Sequence, residues 1–351
     1  MDTQKLELFT QKVVGDLGAA FSIAPIRIGG ALGLYAAMAE TGPTTADGLA
    51  AATGYSERYL AEWLCHQAAS GYVEYDAASG RFTLPLEHSF LLADPESPGY
   101  ILRGFCTAAA LSENFASVAQ AFRTGQGVHW SDQSGCLACF IGEFFRPGYR
   151  THLLDSWLPA IAGLVPKLEA GAKVADIGCG HGHSTRIMAE AFPNSTFLGI
   201  DIDAPSIDAA RAHAAEHRLE NLSFDVCSAQ EFDGQRYDLV TCFDALHDMG
   251  DPVGAARSVR AALNADGVWM IVEPSADDAL ENNLGPINRL SFAASTMSCV
   301  PGALAQPGGM SLGAQAGEAR LREIIVDHGG FSSCRRTAET PLNMVLEARI
   351  A

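Results

Sequence analysis

Residues 174–182, with the sequence VADIGCGHG, decide the fold. The first half of this stretch is apolar apart from one carboxylate, the second half alternates glycine with other residues, and a helix is predicted to begin near Ser184. Glycine tolerates sharp backbone turns and lets a ligand approach the main chain closely. The stretch therefore predicts a β-strand, a tight loop and a helix start, which is a ligand-binding corner of an α/β fold.

The glycine spacing separates this loop from the fingerprint of nicotinamide-dependent oxidoreductases. That fingerprint, G-x-G-x-x-G, requires a third glycine at the position that His183 occupies here. The spacing in this chain is G-x-G-x-G, with Asp176 two residues before the first glycine. A nicotinamide-dependent enzyme is therefore disfavoured.

The ends of later strands supply polar groups for a nucleoside. The segment TFLGID (196–201) ends in Asp201, whose carboxylate can accept hydrogen bonds from both hydroxyls of a ribose. The segment LSFDV (222–226) leads to Ser228 and Ala229, where an adenine edge can be read.

Strand-like and helix-like segments alternate from Lys173 onward, which predicts a parallel sheet. The strand YDLVTCF follows at 237–243, and WMIVEP follows at 269–274. The chain closes with a helix at 319–330 and two strands, FSSCRRTAE and NMVLEAR, joined through Thr340 and Pro341.

At this point residues 173–273 resemble the class I domain of methyltransferases that depend on S-adenosylmethionine (SAM). The resemblance implies an α/β fold with a Rossmann-like seven-stranded sheet whose last strand is antiparallel, and it implies SAM as the cofactor. It places Gly178 and Gly180 against the methionine part of SAM, Asp201 on the ribose, and Ser228 and Ala229 beside the adenine. Many family members have Asp at the Ser228 position, so this chain departs from the family there. The implied cofactor residues are Asp176, Gly178, Gly180, Gly182, Asp201, Ile202, Ser228, Ala229 and Phe243.

The segment 243–251 is the candidate catalytic region, because ligands of open α/β sheets bind at the carboxyl edge of the strands. Methyl transfer is an in-line displacement, and a hydroxyl acceptor must also lose a proton, a task that suits histidine. His247 begins an H-D-x-x-D run similar to the H-D-W-x-D segment of winged-helix small-molecule O-methyltransferases, where the His is the general base. Met249 replaces the Trp, and 284–320 does not resemble their C-terminal region. The whole chain is closer to a bacterial group of winged-helix SAM methyltransferases.

Each candidate catalytic residue also has a structural interpretation. His247 could cap a helix or bond the backbone instead of acting as a base. Asp244 is a candidate for contact with SAM or the acceptor, or a helix N-cap. Glu273 could orient the substrate or His247, or form a structural pair at the buried sheet edge.

The N-terminal part predicts helices at 4–22 and about 28–39, followed by a winged helix. Thr45 and Ser56 are predicted to cap two helices, and the strands GYVEYD and GRFTLP follow. Two basic and five acidic residues lie between positions 44 and 85, so we expect a packing or dimerisation module that does not bind nucleic acid. In the resembling family this order of domains forms homodimers.

The predicted division is 1–97 for the helical winged-helix domain, 98–168 for a helical linker and acceptor-pocket segment, and 169–351 for the SAM-binding domain with a lid at about 280–316. A small-molecule acceptor is expected between these segments, and aromatic and sulfur-rich side chains suit an apolar one. The candidate acceptor residues are Trp130, Phe144, Tyr149, Met297, Cys299 and Met310.

The cysteines, the apolar N-terminal run and the net charge limit the predictions about metal sites, location and partners. No metal site is predicted: Cys136 and Cys139 are interpreted as packed thiols, with a soft-element site that adds Cys299 as the alternative. Nine cysteines without a signal-like start predict reduced thiols in the cytoplasm. The run 17–42 is interrupted by Pro25 and Arg27, so two buried helices are favoured over a membrane span. The net charge of −18 argues against a general nucleic-acid binder.

The favoured function is methyl transfer from SAM to a small molecule, with a hydroxyl as the expected acceptor. The alternative is a SAM-binding regulatory protein that has a winged helix and no turnover.

Overall fold

The computed structural model describes residues 1–135, 137–232 and 236–351. These residues form two compact units, Met1–Ala109 and Ala110–Ala351. The division into three segments with a lid stays a prediction.

The first unit is a helical domain with a small hairpin. Its elements, with the helix that contains the boundary between the units, are α1 (Thr3–Ala31), α2 (Leu34–Thr41), α3 (Ala46–Thr53), α4 (Glu57–Ala69), β1 (Glu74–Asp76), β2 (Arg81–Thr83), α5 (Leu86–Leu92) and α6 (Arg103–Glu113).

Helices α2 to α4 and the β1–β2 hairpin give the winged-helix outline that the sequence predicts. Thr45 caps α3 by accepting a hydrogen bond from the Gly48 amide at 3.3 Å. Ser56 occupies the N-cap of α4, but its side chain makes no capping bond in the described part of the chain. The two strands pair antiparallel over three residues each, which is shorter than predicted.

The predicted helix boundaries near the N-terminus are wrong. A single helix, α1, runs through Pro25 to Ala31, and α2 begins only at Leu34. Tertiary packing holds the second half of α1 in place: Trp63 donates its indole N–H to the Pro25 carbonyl at 2.9 Å. Gly29 lies against the Tyr35 and Trp63 rings so closely that an added Cβ would stand 2.6 Å and 2.7 Å from them.

The expected burial holds for α2 and fails for α1. Leu34, Tyr35 and Met38 of α2 are buried. In α1 the buried residues are Ser22, Ile26 and Gly29, and this helix is long and apolar enough to cross a membrane by length and composition alone. Its exposed large apolar side chains are Leu6, Leu8, Phe9, Val13, Val14, Leu17, Phe21 and Ile28.

The second unit alternates helices and strands. Its helices are α7 (Phe115–Thr124), α8 (Leu137–His152), α9 (Leu164–Gly171), α10 (His183–Ala191), α11 (Ala204–His217), α12 (Pro252–Ala262), α13 (Pro286–Ala294), α14 (Val300–Leu304) and α15 (Glu318–Arg322). Its strands are β3 (Lys173–Ile177), β4 (Thr196–Asp201), β5 (Leu222–Val226), β6 (Tyr237–Phe243), β7 (Leu263–Pro274), β8 (Ser333–Glu339) and β9 (Asn343–Arg349).

Short helical turns connect or extend these elements. Three are 3₁₀ turns, at Trp130–Asp132, Leu246–Asp248 and Leu280–Asn282. Three are π turns, at Leu153–Trp157, Ser295–Cys299 and Glu323–His328.

The seven strands form one sheet in the order β5-β4-β3-β6-β7-β9-β8. Strands β3 to β7 are parallel, and β9, the last strand in the chain, runs antiparallel between β7 and β8. The predicted sheet, including its antiparallel last strand, is confirmed.

The central strands β3, β6, β7 and β9 are buried on both faces, as expected for strands covered by helices. Alternate residues such as Ala175 and Val240 belong to one apolar cluster, whereas Val174 and Leu239 belong to another. Because β3, β4, β6 and β7 are parallel, their carboxyl ends meet at one edge of the sheet, which is where the candidate site lies.

Candidate active site

The loop after β3 adopts a backbone that requires glycine. Gly178, Gly180 and Gly182 have φ values of 68°, 51° and 71°, in the left-handed region that other L-residues rarely adopt. A Cβ on Gly182 would stand 2.5 Å from the Phe224 ring, whereas a Cβ on Gly180 would have no described atom within 4 Å. Gly182 therefore serves packing, whereas Gly180 borders open space.

Asp201 ties this loop to the end of β4. Its Oδ2 accepts a hydrogen bond from the Gly180 amide at 2.9 Å, and its Oδ1 accepts one from the Asp203 amide at 2.9 Å. Burial raises the pKa of this carboxyl, although the two amide donors act in the opposite direction. The carboxylate is thereby fixed at the carboxyl edge of the sheet with lone pairs available for a ligand.

Asp176 lies beneath the loop, outside the lining of the cavity described below. Its carboxylate accepts hydrogen bonds from the hydroxyls of Ser184, Thr185 and Thr241 at 2.7–2.9 Å. The side chain is fully buried, and burial raises its pKa to about 6. This geometry makes Asp176 a support for the strand-to-helix corner, and its predicted contact with a cofactor stays a prediction.

A cavity of about 290 Å³ opens above the loop. Most of the predicted cofactor residues line it, while Asp176, Gly182 and Ser228 lie outside its lining. The predicted residues that line it are Gly178, Gly180, Asp201, Ile202, Ala229 and Phe243.

Ser228 stands apart because it caps a turn. Its hydroxyl bonds the Glu231 carboxylate at 3.1 Å and accepts from the Glu231 amide at 3.2 Å. Its neighbours Cys227 and Ala229 line the cavity instead. This location bears on the departure from the family pattern at Ser228, since the neighbouring residues are better placed to meet a ligand.

Asp244 lines the same cavity at the end of β6, with a positive φ of 50°. It accepts hydrogen bonds from the Asn343 amide group at 2.6 Å and from the Tyr149 hydroxyl at 3.4 Å. Burial and then the charge of Glu273 raise its pKa to about 8. The interpretation of Asp244 as a helix cap is not what the geometry shows, because Ala245 holds the N-cap position of the next turn.

His247 and Glu273 form a buried pair behind the cavity. Nδ1 of His247 lies 2.6 Å from Oε2 of Glu273, whose Oε1 accepts the Leu246 amide at 2.9 Å. Both side chains are at most 4% exposed. Glu273 therefore orients the ring and leaves Nε2 as the nitrogen that faces away from it.

Asp248 stands between His247 and the cavity, and the sequence-based interpretation missed it. It lines the cavity, and its Oδ1 lies 3.4 Å from Nε2 of His247. Burial alone lowers the pKa of His247, but the Asp248 and Glu273 carboxylates outweigh it and raise that pKa well above its ordinary value. The two carboxylates therefore favour the protonated form of the ring.

The candidate acceptor residues separate into two groups. Trp130 and Tyr149 line the cavity, and Tyr149 packs edge-on against Phe243 with ring centroids 5.4 Å apart. Phe144, Met297, Cys299 and Met310 lie outside its lining. Cys299 instead comes within hydrogen-bonding reach of His247 and Asp248. Cys136 lies outside the described residues, and Cys139 is exposed.

Two family models match the amino-acid sequence of this chain. One, described as a methyltransferase domain, matches residues 168–317, and the other, described as an Rv2258c-like winged HTH domain, matches residues 19–94. Residues 168–317 therefore resemble a methyltransferase domain in sequence. The winged-helix domain precedes it, as the sequence predicts.

A curated relative matches part of the methyltransferase domain. The ubiquinone biosynthesis O-methyltransferase of Actinobacillus pleuropneumoniae is 34% identical over 105 residues, which is 28% of this chain and 44% of that relative. The chain thus matches less than half the length of this relative.

Solved structures share the fold over nearly the full chain. An O-methyltransferase candidate from Nostoc punctiforme gives a TM-score of 0.71 at 20% identity, covering 97% of this chain and 98% of the other. Human N-acetylserotonin methyltransferase, solved in complex with SAM, gives 0.68 at 17% identity, covering 97% of both chains. At these identities the likeness shows the class I fold.

The methyltransferase domain also holds cavity-lining residues that the motifs did not indicate. His181 and His183 belong to a group of three histidine rings with His213, at centroid distances of 5.8–6.4 Å. Burial lowers the pKa of His183 to about 3, so this ring is neutral. The run GCGHGH contains two of these residues, but the third comes from α11 and could not be read from the loop.

Proposed function

We propose that this chain binds SAM in the cavity at the carboxyl edge of β3, β4 and β6 and transfers its methyl group to a hydroxyl of a small-molecule acceptor. One observation carries the proposal. A single cavity is lined both by the glycine loop with Asp201 and by Asp244 and Asp248, with the His247–Glu273 pair directly behind.

The cofactor side of the proposal rests on hydrogen-bonding geometry. The ribose hydroxyls would bond Asp201, and the methionine part would lie along Gly178 and Gly180, which both line the cavity, with open space at Gly180. Cys227 and Ala229 border the adenine end. When bound, SAM supplies an electrophilic methyl group on a sulfonium cation.

The acceptor side of the cavity is largely apolar. Side chains of Trp130, Leu137, Ile141, Phe145 and Tyr149 line it. Such a wall favours a flat or apolar molecule with few polar groups, because apolar surface removed from water supplies most of the binding free energy. The methyl transfer then depends on how firmly this wall holds the acceptor oxygen in line with the methyl carbon.

The proton of the acceptor hydroxyl is proposed to leave through Asp248 to His247, the general base. Asp248 lines the cavity and lies 3.4 Å from Nε2, while Glu273 fixes the ring from the other side. A sulfonium bound in the same cavity disfavours the imidazolium, since like charges repel, and so promotes the neutral ring that a base requires.

The chain is further proposed to act as a homodimer in the cytoplasm, without binding nucleic acid or membrane. The apolar side chains exposed along α1, including Phe9 and Phe21, support a second copy as its partner. Light scattering on wild type and Phe9→Glu tests this point. A dimer that becomes a folded monomer in the variant is expected, and a monomeric wild type would contradict it.

The catalytic proposal is tested by mass spectrometry of reactions with SAM and a panel of phenols and alcohols. We expect a product heavier by one CH₂ group, formed about 10²–10⁴-fold more slowly by His247→Gln. His217→Gln, an exposed histidine on α11, is the matched control. SAM binding without any methylated product would favour the regulatory alternative, and an unaffected His247→Gln would remove the base.

A further inference from the structure

His247 and Asp248, which the proposed methyl transfer uses, converge with Cys299, which it does not use. Their ligand atoms all lie within 4.8 Å of one another. His247 and Asp248 come from the 3₁₀ turn after β6, whereas Cys299 ends the π turn at Ser295–Cys299. An imidazole nitrogen, a carboxylate oxygen and a thiol form a donor set typical of zinc sites.

We propose that His247, Asp248 and Cys299 bind a zinc ion, and that the bound ion switches off methyl transfer by occupying Nε2 of His247. The binding site stands on its own geometry, whereas the inhibitory effect rests on the function proposed above.

The spacing of the donors fits a tetrahedral ion. Nε2 of His247 lies 3.4 Å from Oδ1 of Asp248. Two ligands about 2.0–2.2 Å from zinc and separated by a tetrahedral angle are about 3.3–3.5 Å apart. The Cys299 sulfur needs about 3.6 Å to the other two atoms, and it lies within 4.8 Å of both.

The surroundings of the three donors also suit a cation. Glu273 holds Nδ1 of His247 at 2.6 Å, the carboxylate–histidine arrangement that orients metal-bound imidazoles. Oδ1 of Asp248 is buried and makes no hydrogen bond to any described residue, which leaves an acceptor that an ion would satisfy. Because Asp248 also lines the cavity, a fourth coordination position faces solvent or ligand.

Inhibition follows from the shared nitrogen. Zinc displaces the protons of the thiol and the imidazolium, and Nε2 then donates its lone pair to the metal. A ring in that state has no lone pair for the acceptor's proton. Zinc and the methyl acceptor's proton therefore compete for one atom, and chelation of the metal should restore turnover.

The first experiment measures metal binding by the full chain without SAM or acceptor. Its result therefore does not depend on whether the protein transfers methyl groups. Cobalt(II) is titrated first, because a cobalt–thiolate bond gives a charge-transfer absorption in the near ultraviolet, and zinc is then added. We expect one equivalent of cobalt, a thiolate band, and its displacement by zinc. Absence of the band, or retention of the band in Cys299→Ser, would overturn the site.

Matched variants separate this site from the other cysteines. Cys299→Ser should abolish the thiolate band and weaken zinc binding by at least about tenfold, and Glu273→Gln should weaken it about 10–100-fold through the ring. Cys334→Ser, which alters another buried thiol of the same unit, should bind cobalt like wild type. Equal losses in Cys334→Ser would show that disturbed folding, and not ligation, explains the result.

The activity arm measures turnover with a methyl acceptor as zinc is added and then chelated. Wild type should lose its turnover and regain it with chelator, while Cys299→Ser should need at least about tenfold more zinc for the same fractional inhibition. Zinc that binds at the three residues without slowing methyl transfer would refute the proposed inhibition, while the binding site itself would still stand.

Discussion

The two sides of the cavity are formed by different kinds of chemical groups. On the cofactor side, meaning the loop 178–182 with Asp201, backbone amides and left-handed glycines shape the wall. On the proton side, meaning Asp244, His247, Asp248 and Glu273, buried ionisable side chains face one another. The first depends on local backbone geometry and on one carboxylate held by two backbone amides. The second depends on several ionisable side chains that burial and neighbours hold in place. Mutations should therefore affect the two sides in different ways.

The largest expected effect is on the proton side, where Glu273 holds both the His247 ring and the Leu246 amide. Glu273→Ala should lower the free energy of unfolding by about 3–5 kcal/mol, because it removes the carboxylate that bonds both the buried His247 ring and the Leu246 amide. Denaturant unfolding measures this change. Glu273→Gln keeps the shape of the side chain and should lose less free energy of unfolding. Equal free energies of unfolding for Glu273→Ala and wild type would contradict this account of the proton side.

On the cofactor side, two glycines of one loop should respond differently. Gly182→Ala should lower the free energy of unfolding by about 2–4 kcal/mol, since its Cβ meets Phe224 at 2.5 Å and its φ is left-handed. Gly180→Ala has open space and should cost only about 1–2 kcal/mol. Unfolding and SAM titration of both variants check this.

For Gly180→Ala, the added methyl group should weaken SAM binding more than it weakens the fold, because Gly180 lines the cavity and a Cβ there meets no described atom within 4 Å. The result that would contradict this assignment is SAM affinity equal to wild type in Gly180→Ala.

A smaller, pH-dependent effect is expected from Asp244. Its folded pKa of about 8 lies above its ordinary value of 3.8, so folding takes up a proton, and stability is lost as pH rises through that window. Asp244→Asn removes the loss. Its Tm should equal that of wild type near pH 4, and the difference should grow as the pH rises, so that the variant unfolds several degrees higher at pH 8. A Tm difference that does not change with pH would contradict the raised pKa.

The cofactor side could be predicted from sequence because its information is local. The glycine spacing and the carboxylate at the end of β4 lie within one βαβ unit, and Gly178, Gly180 and Asp201 indeed line one cavity. The alternation of strands and helices predicts the parallel sheet. The antiparallel last strand follows only from the resemblance of residues 173–273 to class I methyltransferases.

The proton side could be predicted only in part. The sequence predicts His247 and Glu273 as candidates. The turn of His247 toward Glu273, which places Asp248 on the cavity, depends on packing across β6 and β7. Cys299 reaches the cluster through a π turn, a geometry that periodicity does not reveal. Likewise, the continuity of α1 through Pro25 depends on contacts from Trp63, which is distant in sequence.

The most direct test of the account is calorimetric titration of SAM and S-adenosylhomocysteine into wild type, Asp201→Ala and Asp208→Ala, the last being an exposed carboxylate on α11. We predict micromolar binding to wild type and to Asp208→Ala, and a loss of about 10–100-fold in Asp201→Ala, the equivalent of one charge-assisted hydrogen-bonding group. Absence of binding to wild type, or undiminished affinity in Asp201→Ala, would contradict the claim that this edge of the sheet holds the cofactor.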